Sequence, residues 1–349
     1  MSTSVYSGTK SFAVRGSLLS YGQLDELADS DGLETLISKL KGTAYGDFLA
    51  DLQKPYDAVK TEQALQRRLA KVSRSMITAT SNSKVLHAYY SKFLANNLKV
   101  ILKGLALEKS YDEISRFVDL YTEELVGTRD VIVRVLASRR LDEAVSTLRA
   151  TQFGEAAEAA VKAFLETKNF QVIDLYIDRA YYRALLNGFL AERKGKRDLR
   201  ELIAIDVDAF NITSVLRARE WGLSPTEAEQ LIVEPQFKVP REVLVALSRS
   251  EAASESIAQI ERTPYAGIIS QQDASNPDWV SQLESGLEAL KFRAAKRTFT
   301  WDIFSTSEAL GILKLLEYEI RALSSIAFGI EQKIARSEIM QRLSYLGFA

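Results

Sequence analysis

Leu40-Lys41-Gly42-Thr43-Ala44-Tyr45-Gly46 recurs as Leu148-Arg149-Ala150-Thr151-Gln152-Phe153-Gly154, and in weaker form as Ile260-Glu261-Arg262-Thr263-Pro264-Tyr265-Ala266. The copies are spaced by roughly 110 residues, far beyond the ~34–47-residue periods of helical solenoids, so each repeat is a whole helical domain. Thr43, Thr151 and Thr263 read as helix N-caps that accept a hydrogen bond from a free N–H, and Pro264 then fits the first helical position. The aromatic ring that follows pins the helix start to the core.

A second signature follows each of these. Phe93, Asn97, Leu98, Ile101 and Lys103 precede Ser110-Tyr111-Asp112-Glu113; Val207, Asn211, Ile212, Val215 and Arg217 precede Ser224-Pro225-Thr226-Glu227; Tyr318, Ala322, Leu323, Ile326 and Phe328 precede Ala335-Arg336-Ser337-Glu338. Glu113, Glu227 and Glu338 fall at one fixed distance from Asn97, Asn211 and Ala322. Ser-x-x-Glu is a capping box, so each copy ends in a long helix, a short turn and a capped shorter helix. Gly222 and Gly329 sit where a left-handed residue would end the long helix. Asn97 and Asn211 lie on the apolar face, where a partly buried amide needs partners and is read as a structural latch. The repeats divide the chain at 1–120, 121–236 and 237–349.

The fold class is all-α. Leu313, Leu316, Ile320, Leu323 and Ile326 recur with helical period, with Lys314, Glu317, Arg321 and Ser325 on the other side. Phe93, Leu94, Leu98, Ile101, Leu102 and Leu105 form a second stripe. Further helical segments span 24–40, 114–126, 141–148, 172–189 and 283–295, while 271–277 reads as a loop. In 349 residues there are only 17 Gly and 6 Pro.

Forty-five basic and 46 acidic residues leave a net charge of −1, so no overall field drives the chain onto nucleic acid or an anionic membrane. Without cysteine, disulfides, thiolate nucleophiles and iron–sulfur clusters are excluded. With His87 as the single histidine, a His–His metal site within the chain is excluded too. The start lacks the apolar core of a signal peptide, and no apolar run is long enough to span a bilayer. Phosphate-binding and nucleophile-elbow motifs are absent. Asp206 and Asp208, two apart on a helix, read as solvated charges. Arg193-Lys194-Gly195-Lys196-Arg197 reads as a solvated inter-helix loop. No catalytic constellation, cofactor site or metal site is expected.

The chain resembles the C subunits of A/V-type rotary ATPases, the family that includes the d subunit of eukaryotic vacuolar ATPases. The likeness rests on Phe12-Ala13-Val14-Arg15 with Ser17-Leu18-Leu19, on Leu40–Tyr45, on Asn96 to Lys103, on Asp208 to Arg217 and on Glu317 to Leu323. Where that family usually has Asn-Leu-Arg, this chain has Ala322-Leu323-Ser324. The resemblance implies a funnel of three pseudo-threefold helical domains, peripheral to the membrane on its cytoplasmic side. The funnel would sit on the proteolipid c-ring, receive the D/F-type central stalk and transmit torque without binding nucleotide. Lys103, Arg217 and Arg321 are then the expected stalk or ring contacts, because long cations can bond helix carbonyl ends. A helical adaptor unrelated to rotary machines, or a hydrolase without a recognisable motif, are the competing readings.

Overall fold

The computed structural model describes residues 3–192, 196–301 and 303–345. Among them every regular element is helical: nineteen α-helices and one 3-10 turn. The longest are Ala58–Ala79, Lys84–Ala106, Val172–Leu190, Lys196–Glu220, Trp279–Trp301 and Thr306–Glu331. Two compact units result. One comprises Met1–Leu86, Arg193–Leu202 and Glu288–Ala349; the other comprises His87–Glu192 and Ile203–Leu287.

The first unit is built around Thr306–Glu331, which packs against Ala58–Ala79, the N-terminal helix Thr3–Gly16 and the helices Tyr21–Ala28 and Leu33–Lys41. This helix was expected to carry one apolar stripe. Instead it is enclosed on nearly all sides, so that Lys314 and Glu319 are buried beside Leu310, Leu313 and Leu316. Such enclosure suits a helix at the centre of a bundle. The second unit stacks Gly154–Thr167 on Val172–Leu190 and joins Arg129–Leu136 to Leu141–Leu148.

Several boundaries differ from the sequence reading. The 24–40 segment breaks into Tyr21–Ala28 and Leu33–Lys41 at Asp29 and Gly32. The 114–126 segment breaks into Tyr111–Ser115 and Leu120–Val126, because Asp119 caps a new helix by accepting from the Tyr121 N–H. The expected loop at 271–277 contains the 3-10 turn Gln271–Ser275, capped by Ser270 and Asp273. Residues 193–195 of the basic run lie outside the described residues.

The threonines do not cap helices. In all three copies the hydroxyl donates to the carbonyl three residues back (Leu40, Leu148, Ile260) at 2.7–2.8 Å and accepts from the aromatic N–H two residues on at 3.2 Å. This is a local hydroxyl turn. The short Gly46–Leu49 helix and Gly154–Thr167 start after the ring instead, with Tyr45 and Phe153 at their N-caps, and no helix starts at Pro264. The rings themselves are buried: Tyr45, Phe153 and Tyr265.

The turn after each long helix is also shared, with one reassignment. Glu108, Gly222 and Lys333, at equivalent positions, all have positive φ. Gly329 is not the left-handed residue expected; it is buried within the helix, where an added Cβ would lie 2.5 Å from the Ile339 side chain. Gly104 meets Ile114 at the same 2.5 Å. Both glycines let the long helix approach the short helix that follows it. In the middle copy, Ala218 and Ala228 occupy the two positions and are both fully buried, so a larger residue on one side replaces a smaller one on the other.

Candidate functional site

The chemistry-bearing side chains form three kinds of internal joint. The first joint latches a strap to a long helix. Asn97 donates to the Asp119 carbonyl at 3.0 Å and accepts from the Asp119 N–H at 3.1 Å; Asn211 does the same with Val233, at 3.0 and 2.7 Å. The partner lies 22 residues on in both copies. A side-chain amide matches a backbone amide donor for acceptor, so the strap's polar groups are satisfied without a neighbouring strand. Asn97 also donates to buried Glu123 at 2.9 Å, and burial raises the Glu123 carboxyl above its ordinary range. The capping boxes at Ser110/Glu113 and Ser224/Glu227 follow, and their bonds from Ser110 and its neighbour Lys109 pull the Glu113 carboxyl down to about 2. Glu338, without a serine at the matching place, pairs with Arg342 at 3.0 Å.

The second joint places an acid against the repeated aromatic ring. Tyr45 donates to Glu319 at 2.6 Å, and Tyr265 donates to Asp208 at 2.9 Å. Glu319 and Asp208 stand three residues before Ala322 and Asn211; the matching position in the remaining copy is Leu94, and the remaining ring is Phe153, which has no hydroxyl. Asp208 and its neighbour Asp206 are buried, not solvated as expected, because the helix bearing them is buried on every side from 202 to 212. Asp208 also accepts from the Lys238 N–H at 3.0 Å, yet burial outweighs these bonds and raises its carboxyl. Around Glu319 the arrangement is denser. Arg68, 4% exposed, donates to it at 3.0 Å and to Ser17 at 2.6 Å, lies over the Tyr45 ring at 4.4 Å, and the Leu19 N–H donates to the other carboxylate oxygen. Burial still raises the Glu319 carboxyl and the Tyr45 hydroxyl.

The third joint is an ion pair between long helices, and it uses the predicted contact residues. Lys103 pairs with Asp174 at 2.9 Å, one turn from the pair Lys99–Asp178 at 2.7 Å. Arg217 forks onto Glu284 at 2.8 and 2.7 Å and reaches Glu220 at 2.6 Å. Arg321 holds Glu288 at 2.8 Å, with Lys291 on the same carboxylate at 2.8 Å and the Tyr318 hydroxyl at 3.1 Å. Burial alone would raise Glu288, but Lys291 and Arg321 hold it well below the usual carboxylate range. All three cations are thus engaged within the chain while remaining partly exposed, at 29%, 20% and 40%.

The acid partners Asp174, Glu284 and Glu288, and the Arg68–Glu319–Tyr45 group, were missed in the sequence. The available signal was the spacing of Asp208 and Glu319 from the repeat position, each opposite a tyrosine. His87 is exposed and lines an open groove. No group of three or more metal-ligating side chains occurs among the described residues. No described helix is long and apolar enough to cross a membrane.

These joints recur across a chain whose residues 9–342 match the model of the ATP synthase (C/AC39) subunit family. The chain belongs to that family. The A-type ATP synthase C subunit of Methanocaldococcus jannaschii is 23% identical over 330 residues, covering 92% of this chain and 81% of that protein. Its counterparts in Desulfurococcus and Thermococcus onnurineus are 26% identical over 344 residues and 25% over 343, each covering 96% of this chain and 89% and 88% of theirs. The family is that of an accessory ATP synthase subunit.

Proposed function

We propose that this chain is the non-catalytic rotor subunit of an A/V-type ATPase or ATP synthase. In that role it is a socket between the D/F-type central stalk and the membrane c-ring, on the cytoplasmic side, and it passes torque between ATP chemistry and ion transport. We propose further that its three repeats, 1–120, 121–236 and 237–349, form a pseudo-threefold funnel. The observation that carries this reading is the recurrence of the joints. Ring and acid pair between one repeat and the helix of another: Tyr265 with Asp208, and Tyr45, near the chain's start, with Glu319, near its end. A pairing that returns from the last repeat to the first favours a closed set of three over a row of beads.

A torque-bearing part needs stiffness, and close-packed helices cross-linked by charged pairs resist shear better than greasy contacts alone. Lys103, Arg217 and Arg321 would act first as clamps, with their exposed edges offered to stalk or ring. Co-purification with the proteolipid ring and a stalk subunit, and loss of ATP-driven ion pumping on depletion, tests the role. Failure of both would reject it. Reversing the charge of all three cations should weaken stalk or ring binding; unchanged binding removes these residues from the interface but leaves the socket reading intact.

A further inference from the structure

The cation of the interhelix clamp stands six residues after the repeat position in two copies, as Lys103 and Arg217. In the third copy that place holds Phe328. The acids also stand in register. Asp174 and Glu284 each follow a buried residue (Ile173, Leu283) and precede another by three (Ile177, Leu287), and Glu62 does the same between Thr61 and Leu65. Glu62 lies on Ala58–Ala79, the helix packed against Thr306–Glu331, which bears Phe328. Arg321 pairs with Glu288 inside the third repeat, whereas Lys103 and Arg217 each reach an acid of the following repeat; the equivalent clamp from the third repeat to the first has its acid and lacks its base.

The space that base would fill is open. Glu62, Ser324, Phe328, Gly329 and Ile339 line a cavity of about 510 Å³. Among the described residues Glu62 pairs with no cation. The two arginines on the cavity wall are committed elsewhere, Arg321 to Glu288 and Arg342 to Glu338. Ser324, 6% exposed, also lines this cavity, and its buried hydroxyl has no partner at hydrogen-bonding geometry. Burial raises the Glu62 carboxyl above its ordinary range, an effect the nearby Ser324 partly offsets; a half-buried acid in this state is one that a cation would stabilise.

We propose that a basic side chain from another subunit of the assembly enters this cavity and pairs with Glu62, so completing in trans the clamp that the other two copies make in cis. The inference rests on the reading that the chain works within a rotary assembly, and commits to a partner's lysine or arginine in preference to a free amine or a second copy.

The test uses the whole complex carrying Glu62→Gln or Phe328→Lys, with the wild type as reference. Salt-resistant retention of this subunit and the melting of the isolated chain are both measured. Glu62→Gln should leave melting unchanged or higher yet lower retention at least about tenfold, since it leaves a desolvated cation unpaired. Phe328→Lys should raise the melting temperature by supplying the clamp in cis, and lower retention as well. Retention unchanged in both variants while the wild type assembles normally would overturn the inference without touching the socket role. So would self-association of the isolated chain through this cavity, or spermidine binding that Glu62→Gln abolishes while retention holds. Failure of the wild type to join any complex would instead strike the socket reading.

Discussion

At the residue scale, the most consequential group is Arg68. It and Glu319 are both buried, so their attraction offsets a desolvation cost that neither could bear alone. Arg68→Met should cost about 3–5 kcal/mol in urea unfolding, because it strands the Glu319 charge; adding Glu319→Gln should recover part of the loss. Glu288 supplies a pH test. Its folded carboxyl is depressed by Lys291 and Arg321, so its stabilisation is complete above the unfolded glutamate value near ~4.3 and fades as pH falls below it. Glu288→Gln should therefore lower stability by about 1–2 kcal/mol at pH 7, with partial exposure limiting the effect. Stability curves of the two proteins should draw together on acidification below about pH 4. A gap that widened instead would show that the pair is not ionised.

At the element scale, the asparagine latches fix where the straps run. Asn97→Ala and Asn211→Ala should each cost about 1–3 kcal/mol, read from denaturation midpoints. Asn211→Ala should lie at the upper end because Val233 is buried and water cannot replace the lost partner, whereas Asp119 is half-buried. These latches were legible in the sequence, since an amide on an apolar helical face needs satisfying and the capping boxes are local four-residue patterns. The threonine turn is ambiguous in sequence because a hydroxyl two residues before a ring can serve either a helix start or a free turn. Only the backbone path after it decides, and that path differs in the third copy. Glycine is the usual left-handed occupant, so sequence favours Gly329; Lys333 takes the conformation instead, leaving the glycine for close helix approach. The Lys103–Asp174 and Arg217–Glu284 pairs could not be read because they join residues 71 and 67 apart, and registry between such helices is set by packing in three dimensions.

At the scale of the whole molecule, the repeat was visible in sequence while its pairing was not, because nothing local tells that Tyr45 seeks an acid 274 residues away. Deleting residues 3–19 would remove the Ser17 and Leu19 bonds to Arg68 and Glu319 and the helix packed on Thr306–Glu331. Amide hydrogen exchange should then quicken across 306–331 far more than across 203–220, and equal loss in both would refute this local dependence. The unit that joins Met1–Leu86 to Glu288–Ala349 also sets a timetable during synthesis. Roughly 200 residues must leave the ribosome between the two halves, about 10–40 s at ordinary elongation rates, during which Arg68 and Tyr45 have no Glu319 to meet. The nascent chain thus shows its first apolar helices long before their partner exists, and newly made protein should depend on chaperones for longer than a chain whose neighbours in space are neighbours in translation.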